Sequence, residues 1–202
     1  MRAPESTDVN RDAVYGYGDP NADFHVVGDH PGQHGGAGLT TAEADASGVP
    51  FSGPGEPIRR VLESVGLYDE EPTNCFTSYL HMAPTPDGRD PTAAEYARME
   101  PFFDAELRAI AAHVLVPVGE RAIEHVLREY TAKLGAVDSR TVHAEELHGR
   151  GFLVVPAQSP DEWNNGDEAA LTEALAGILR GDYHQEADLG RFSPSGEPYL
   201  VR

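Results

Sequence analysis

Four short apolar runs limit what this chain can fold into. They are residues 24–28 (FHVVG), 75–82 (CFTSYLHM), 114–119 (VLVPVG) and 152–156 (FLVVP). Each is too short for a core helix and is bounded by Gly, Pro or Asp. Such runs read as strands buried on both faces. Continuous burial suits a parallel sheet covered by helices on either side. The intervening segments carry the helices that this requires. Ile58, Val61, Leu62 and Val65 recur at helical spacing, with Gly66 near the stop. Residues 92–112 form the strongest helical pattern, with Thr92 as N-cap and Glu95 at the capping-box position. Tyr96, Met99, Phe102, Phe103, Leu107 and Ile110 supply its apolar stripe, and Pro101 inside it predicts a kink or a second segment. Further helices are expected over residues 120–130 and 167–180. The rhythm of strand and helix, repeated about four times, predicts an α/β fold: a three-layer α/β/α sandwich around a central four-stranded parallel sheet.

One domain over residues 16–181 accommodates this pattern, between a polar tail (1–15) and a C-terminal extension (182–202). In such folds the ligand site lies outside the carboxyl ends of the strands. The segments after Gly28, Met82, Gly119 and Pro156 therefore belong together. The longest, residues 29–55, is rich in Gly, Pro and His, and a loop of that length is usually functional.

Composition narrows the partners. The 202 residues hold 15 Lys+Arg against 34 Asp+Glu, a formal charge of -19. Lys133 is the sole lysine. With 40% hydrophobic residues the chain can bury a core, so it is not a disordered acidic polymer. The balance excludes a generic basic nucleic-acid binder. Acidic residues spread along the chain fit a protein of a salt-loving cell, where the Debye length falls to roughly 3 Å near molar salt. Cys75 stands alone, which excludes a disulfide framework and a multi-cysteine metal centre. The first residues show no apolar signal region, and no run approaches a transmembrane length. A cytoplasmic, monomeric protein away from membranes is expected.

The four loop sites hold groups capable of chemistry. In Gly28-Asp29-His30-Pro31-Gly32 the turn can aim backbone N–H groups at an anion, Asp29 can orient a water, and His30 can act as base or cation. Phe51, framed by Pro50, Gly53 and Pro54, can stack on a planar ligand or plug the core. Ser78 and His81 lie near the end of the second strand, followed by Arg89. Gln158 and Ser159 are short polar groups after the last strand, and Trp163 covers the cleft or buries itself. A P-loop, a G-x-G-x-x-G dinucleotide turn and a G-x-S-x-G elbow are all absent. Asp29, His30 and His34 lack helical metal-ligand spacing, so no metal is expected.

Taken in order, these loops resemble family-4 uracil-DNA glycosylases. Residues 17–32 (YGDPNADFHVVGDHPG) are similar to that family's first motif, and 48–53 (GVPFSG) to its G-x-P-F-x-G. Residues 89–92 (RDPT) resemble the R-D-P-T before its long helix. Residues 114–122 (VLVPVGERA) resemble its V-V-x-L-G-x-x-A turn. The resemblance spans residue 17 to about 165 and implies the same three-layer fold. It further implies a base flipped from DNA into a pocket at the strand ends. Phe51 would stack on that base, polar groups would stabilise charge on its oxygen, and the Asp29 position would place a water at the sugar carbon. The family carries an iron–sulfur cluster on four cysteines; with Cys75 alone, and with His81-Met82 at its Lys-Cys pair, no cluster or other cofactor is expected. Its strand asparagine corresponds to Ser78, and its H-P-x motif to Gln158-Ser159-Pro160.

The expected function is hydrolysis of the N-glycosidic bond of uracil, or a related damaged base, in DNA. Asp29 and His30 are the catalytic candidates, and Phe51, Ser78, Gln158 and Ser159 would bind the base. The alternatives are a non-catalytic member of the fold that holds a nucleobase, nucleotide or protein, and an enzyme for a different glycosidic substrate.

Overall fold

The computed structural model describes residues 13–36, 49–85, 89–110, 112–131 and 138–184. The strands are β1 (Tyr17–Gly18), β2 (Phe24–Gly28), β3 (Cys75–Tyr79), β4 (Val114–Pro117), β5 (Leu147–His148) and β6 (Leu153–Val154). The helices are α1 (Pro31–His34), α2 (Glu56–Ser64), α3 (Ala93–Ile110), α4 (Glu120–Tyr130), α5 (Ser139–Val142) and α6 (Asp167–Arg180). Much of residues 1–15, most of the extension after 181 and Lys133 lie outside the described residues.

The sheet runs β1-β3-β2-β4-β6-β5. Its four inner strands are parallel, as the apolar runs predict, with Phe24 level with both Cys75 and Val114, and Val114 level with Leu153. The sheet is wider than expected, because β1 and β5 add short antiparallel strands to its two edges. Both added strands are only two residues long, too short for a hydrophobic alternation to mark them.

Alternation along the inner strands builds two cores. Phe24, Val26, Val116 and Val155 pack with Ile58, Val61 and Leu62 of α2 and with Leu171, Leu175 and Ile178 of α6. Val27, Leu115 and Val154 face the other way, against Phe103 and Leu107 of α3 and Ile123, Val126 and Leu127 of α4. Fully burying one such side chain is worth about 1.5–3 kcal/mol, which is why apolar residues dominate both faces of the inner strands. The result is the expected α/β/α sandwich. Among the described residues no helix is long and apolar enough to cross a membrane.

Three local expectations change. α3 runs through Pro101 as one helix, and Phe102 points outward, 64% exposed. The second strand closes at Tyr79 rather than Met82, although Leu80 N–H still donates to Gly28 O at 2.9 Å and His81 N–H to Asp29 O at 3.1 Å. The long loop after Gly28 opens with a single helical turn, α1, in which the Gln33 and His34 amides turn back onto His30 O. Those two N–H groups are therefore spent within the turn rather than offered to an anion.

Candidate active site

The segments after β2, β4 and β6, with the start of α3, enclose a cleft of about 590 Å³ lined by Asp29, His30, Gln33, Tyr96, Arg121 and Ser159. Its rim is acidic, with Asp90, Glu120, Glu124, Asp161 and Glu162. A smaller hollow of about 230 Å³ between α3 and α4 shares Tyr96, Arg121 and Glu124 with it.

Asp29 directly follows β2, so the sheet fixes its backbone at the cleft floor. The residue is only 8% exposed. Its Oδ1 accepts a hydrogen bond from the Tyr96 hydroxyl of α3. Burial raises the Asp29 carboxyl above the usual carboxylate range, against the Tyr96 hydrogen bond and the nearby His30 and Arg121, which lower it. The Tyr96 hydroxyl is pushed up, chiefly by burial and then by the Asp29 charge, so it stays a donor. The Arg121 guanidinium covers the Tyr96 ring at 4.6 Å from its centroid. Arg121 reaches this place because Gly119, at φ +89°, turns β4 sharply into α4.

His30 is also buried, with Nε2 3.4 Å from the exposed Asp90 carboxylate. Its Nδ1 is enclosed and has no hydrogen-bond partner. Across the cleft, Gln33 Nε2 donates to Ser159 Oγ at 3.2 Å. Asp29, His30 and Ser159 are thus brought together as the sequence reading expects.

Phe51, Ser78 and Gln158 are not brought to that cleft in the same way. Phe51 is 1% exposed. Its ring packs against Tyr79 at 5.5 Å and His34 at 5.7 Å, with no free face for a base. Its N–H donates to the Tyr79 hydroxyl at 2.7 Å, which in turn donates to Gly35 O at 2.9 Å. Phe51 holds φ +62°, a conformation non-glycine residues rarely adopt. Ser78 is level with Val27 and lies on the α3 side of the sheet. Its Oγ is 2.8 Å from His25 Nε2, and both residues are fully buried. Side chains alternate along a strand, so Ser78 and Tyr79, which packs into the α2/α6 core, point to opposite faces. Gln158 is buried with Oε1 unpartnered, and its backbone N–H donates to His143 Nδ1 at 3.0 Å.

Other candidates resolve into structural roles. His81 Nδ1 lies 2.8 Å from Ala83 O. The Arg89 guanidinium makes two 2.8 Å contacts with the Glu95 carboxylate, which also accepts the Thr92 N–H at the start of α3. Trp163, half-buried, donates Nε1–H to Gln158 O at 3.0 Å and packs on the α2/α6 core. His34, stacked on Tyr79 and with neither ring nitrogen in a formed hydrogen bond, is held neutral by burial, which pushes it down to about 4.

Sequence reasoning missed Tyr79, Tyr96 and Arg121. Arg121 lies within reach of the sequence, in the turn after Gly119 that follows a strand end. Tyr96 sits one turn into the long helix, where its spacing marks it only as part of the apolar stripe.

A parallel sheet between helix layers, with a buried carboxylate at the end of a central strand, defines a class of α/β proteins that work on ligands at their strand ends. Residues 15–178 match the family model of the uracil DNA glycosylase superfamily, and the chain belongs to that superfamily. It is also similar to a type-5 uracil-DNA glycosylase of Pyrobaculum aerophilum, with 30% identity over 169 residues, covering 81% of this chain and 72% of the relative. A four-cysteine iron–sulfur cluster does not fit the residues present. The chain has one cysteine. Cys75 is fully buried in β3, and burial pushes its thiol up to about 12, away from the thiolate a ligand must be.

Proposed function

We propose that this protein hydrolyses the N-glycosidic bond of uracil, or of a related damaged base, in DNA as a step of base-excision repair. The observation that carries the reading is Asp29: a buried carboxylate at the end of β2, held by Tyr96, on the floor of an open cleft. Water adds to C1′ of the deoxyribose as the C1′–N bond breaks; the bonding pair leaves with the base, and the proton the water sheds passes to the Asp29 carboxylate and from there to solvent, which protonates the released base. Asp29 positions that water and stabilises positive charge growing on the sugar. His30, Arg121, Gln33 and Ser159 supply donors for the departing base. Membership of the superfamily and the type-5 relative support the chemistry.

The finer assignments belong to the same proposal: a monomeric, cytoplasmic member of a salt-loving cell, akin to family 4 but without its cluster, with residues 16–181 as the working domain. Ser78 has no part in base binding here, because it faces the other side of the sheet. Phe51 reaches a base only if Tyr79 and His34 move aside.

That closed slot favours one second reading, a non-catalytic protein that binds a nucleobase, nucleotide or protein. Release of uracil from single- and double-stranded DNA in 2 M KCl separates the two. Release at least 100-fold above an Asp29→Asn control supports the glycosylase. No release, with retained binding of the same DNA, supports the binder. A panel of damaged bases identifies the preferred substrate.

A further inference from the structure

At the opposite end of the sheet from the cleft, Asp23, His113 and His184 converge, and their ligand atoms all lie within 4.8 Å of one another. Asp23 directly precedes β2 and His113 directly precedes β4, while His184 follows α6. The five residues of β2 separate Asp23 from Asp29, about 20 Å at a strand's rise per residue. We propose that these three side chains form a binding site for a divalent transition ion of the zinc class, which clamps the end of α6 to the start of the sheet.

The geometry is close to what such an ion needs. Ligand atoms about 2.1 Å from a tetrahedral ion stand about 3.3–3.4 Å apart. Asp23 Oδ1 lies 3.2 Å from His113 Nδ1 and is hydrogen-bonded to His184 Nε2 at 3.1 Å, a contact that a bound ion would replace. The same oxygen faces both imidazoles, and all three ligand atoms lie within 4.8 Å of one another, so a modest inward swing of the half-exposed His184 ring lets one ion meet all three. His113 Nδ1 is enclosed, makes no formed hydrogen bond and faces the Asp23 carboxylate.

The carboxylate is also held in place from behind. Asp23 Oδ2 accepts from Asn74 Nδ2 at 3.1 Å and from the Tyr183 hydroxyl at 2.9 Å. Outer partners of this kind fix a metal-binding carboxylate and raise its affinity. The backbone fixes the second ligand as well, because the His113 N–H donates to Asp23 O at 2.8 Å. Two imidazoles and one carboxylate suit Zn²⁺, Co²⁺ or Ni²⁺ over Mg²⁺ or Ca²⁺. The His184 side chain is 51% exposed, so water can complete the shell. Asp23 and His184 stand 161 positions apart, beyond any spacing rule, so the sequence gives no sign of the site.

The site is tested on the full chain stripped with a chelator, by calorimetric titration with ZnCl₂ and by thermal unfolding. One ion per chain with a sub-micromolar Kd is expected. At a hundredfold excess over Kd the midpoint of unfolding rises by about 5–10 °C. His113→Gln/His184→Gln keeps polar groups of similar size and is expected to fold, which its circular dichroism checks. It should bind at least 100-fold more weakly and lose the rise. No binding up to 100 µM Zn²⁺ overturns the proposal. Equal binding or an equal rise in the folded double variant also overturns it, since the ion would then sit on other histidines. A Mg²⁺ titration that gives the same rise overturns the assignment to the zinc class.

Discussion

Asp29 combines two opposed demands at a single residue. Its burial raises its pKa, so above that value the fold carries an ionised group that water would solvate better. The sign follows: between the ordinary carboxylate range and the raised value the folded chain binds a proton the unfolded chain lacks, and stability increases as pH falls through that window. Asp29→Asn removes the penalty and can still accept from Tyr96. Its unfolding midpoint at pH 7 is expected to equal or exceed the parent's, with the difference shrinking toward pH 4, as scanning calorimetry across pH reads. Base release should show the converse. Its acid limb should lie above the ordinary aspartate value, because the proposed role needs an ionised Asp29 to orient the water. Tyr79 makes the contrasting residue. Its hydroxyl bridges the Phe51 N–H and Gly35 O inside the core. Tyr79→Phe leaves both backbone groups buried and unpaired, at about 1–3 kcal/mol. Urea unfolding should report that loss.

Among the elements, α3 connects local sequence to the cleft. Thr92 N–H and Oγ1 both donate to Glu95 Oε2, at 2.7 and 2.8 Å, and Arg89 grips the same carboxylate. The capping box expected from the sequence is therefore present, reinforced by Arg89. The Glu95 carboxyl is held well below the usual range, chiefly by Arg89. Thr92→Ala should cost about 1 kcal/mol, the usual loss for an N-cap. Tyr96 lies in the first turn of that helix, so fraying there also loosens Asp29. The expected outcome is a lower unfolding midpoint together with reduced base release, the latter rescued by Thr92→Ser. The capping was legible because a cap is a local pattern. The edge strands β1 and β5 were not, because they lie outside any apolar run, are only partly buried and exist through the partner each pairs with.

For the whole molecule, charge governs how a DNA strand could approach. Five carboxylates rim the cleft, and Arg121 is the one arginine among its lining residues. Arg89 is engaged by Glu95. DNA binding through many lysines and arginines loses about 10³–10⁵ in affinity between 50 and 200 mM salt. Here few phosphate contacts are available, and salt screens the acidic rim. Affinity for a uracil-containing single strand, read by fluorescence anisotropy from 0.1 to 2 M KCl, should therefore change by less than tenfold or rise. A steep fall would show that the partner meets a basic surface outside the cleft.

The sequence by itself determined the layered fold, since apolar runs and helical stripes are local consequences of burial on two faces. It also determined that Asp29, His30 and Ser159 would meet at one cleft, because strand ends are fixed by the strands. Only the tertiary structure decided the pocket's contents. Strand pleat put Ser78 with His25 on the far face, and packing closed Phe51 between Tyr79 and His34. Residues from three distant segments met at Asp23, His113 and His184. Side-chain direction and long-range convergence depend on how layers stack, and no spacing along the chain encodes that.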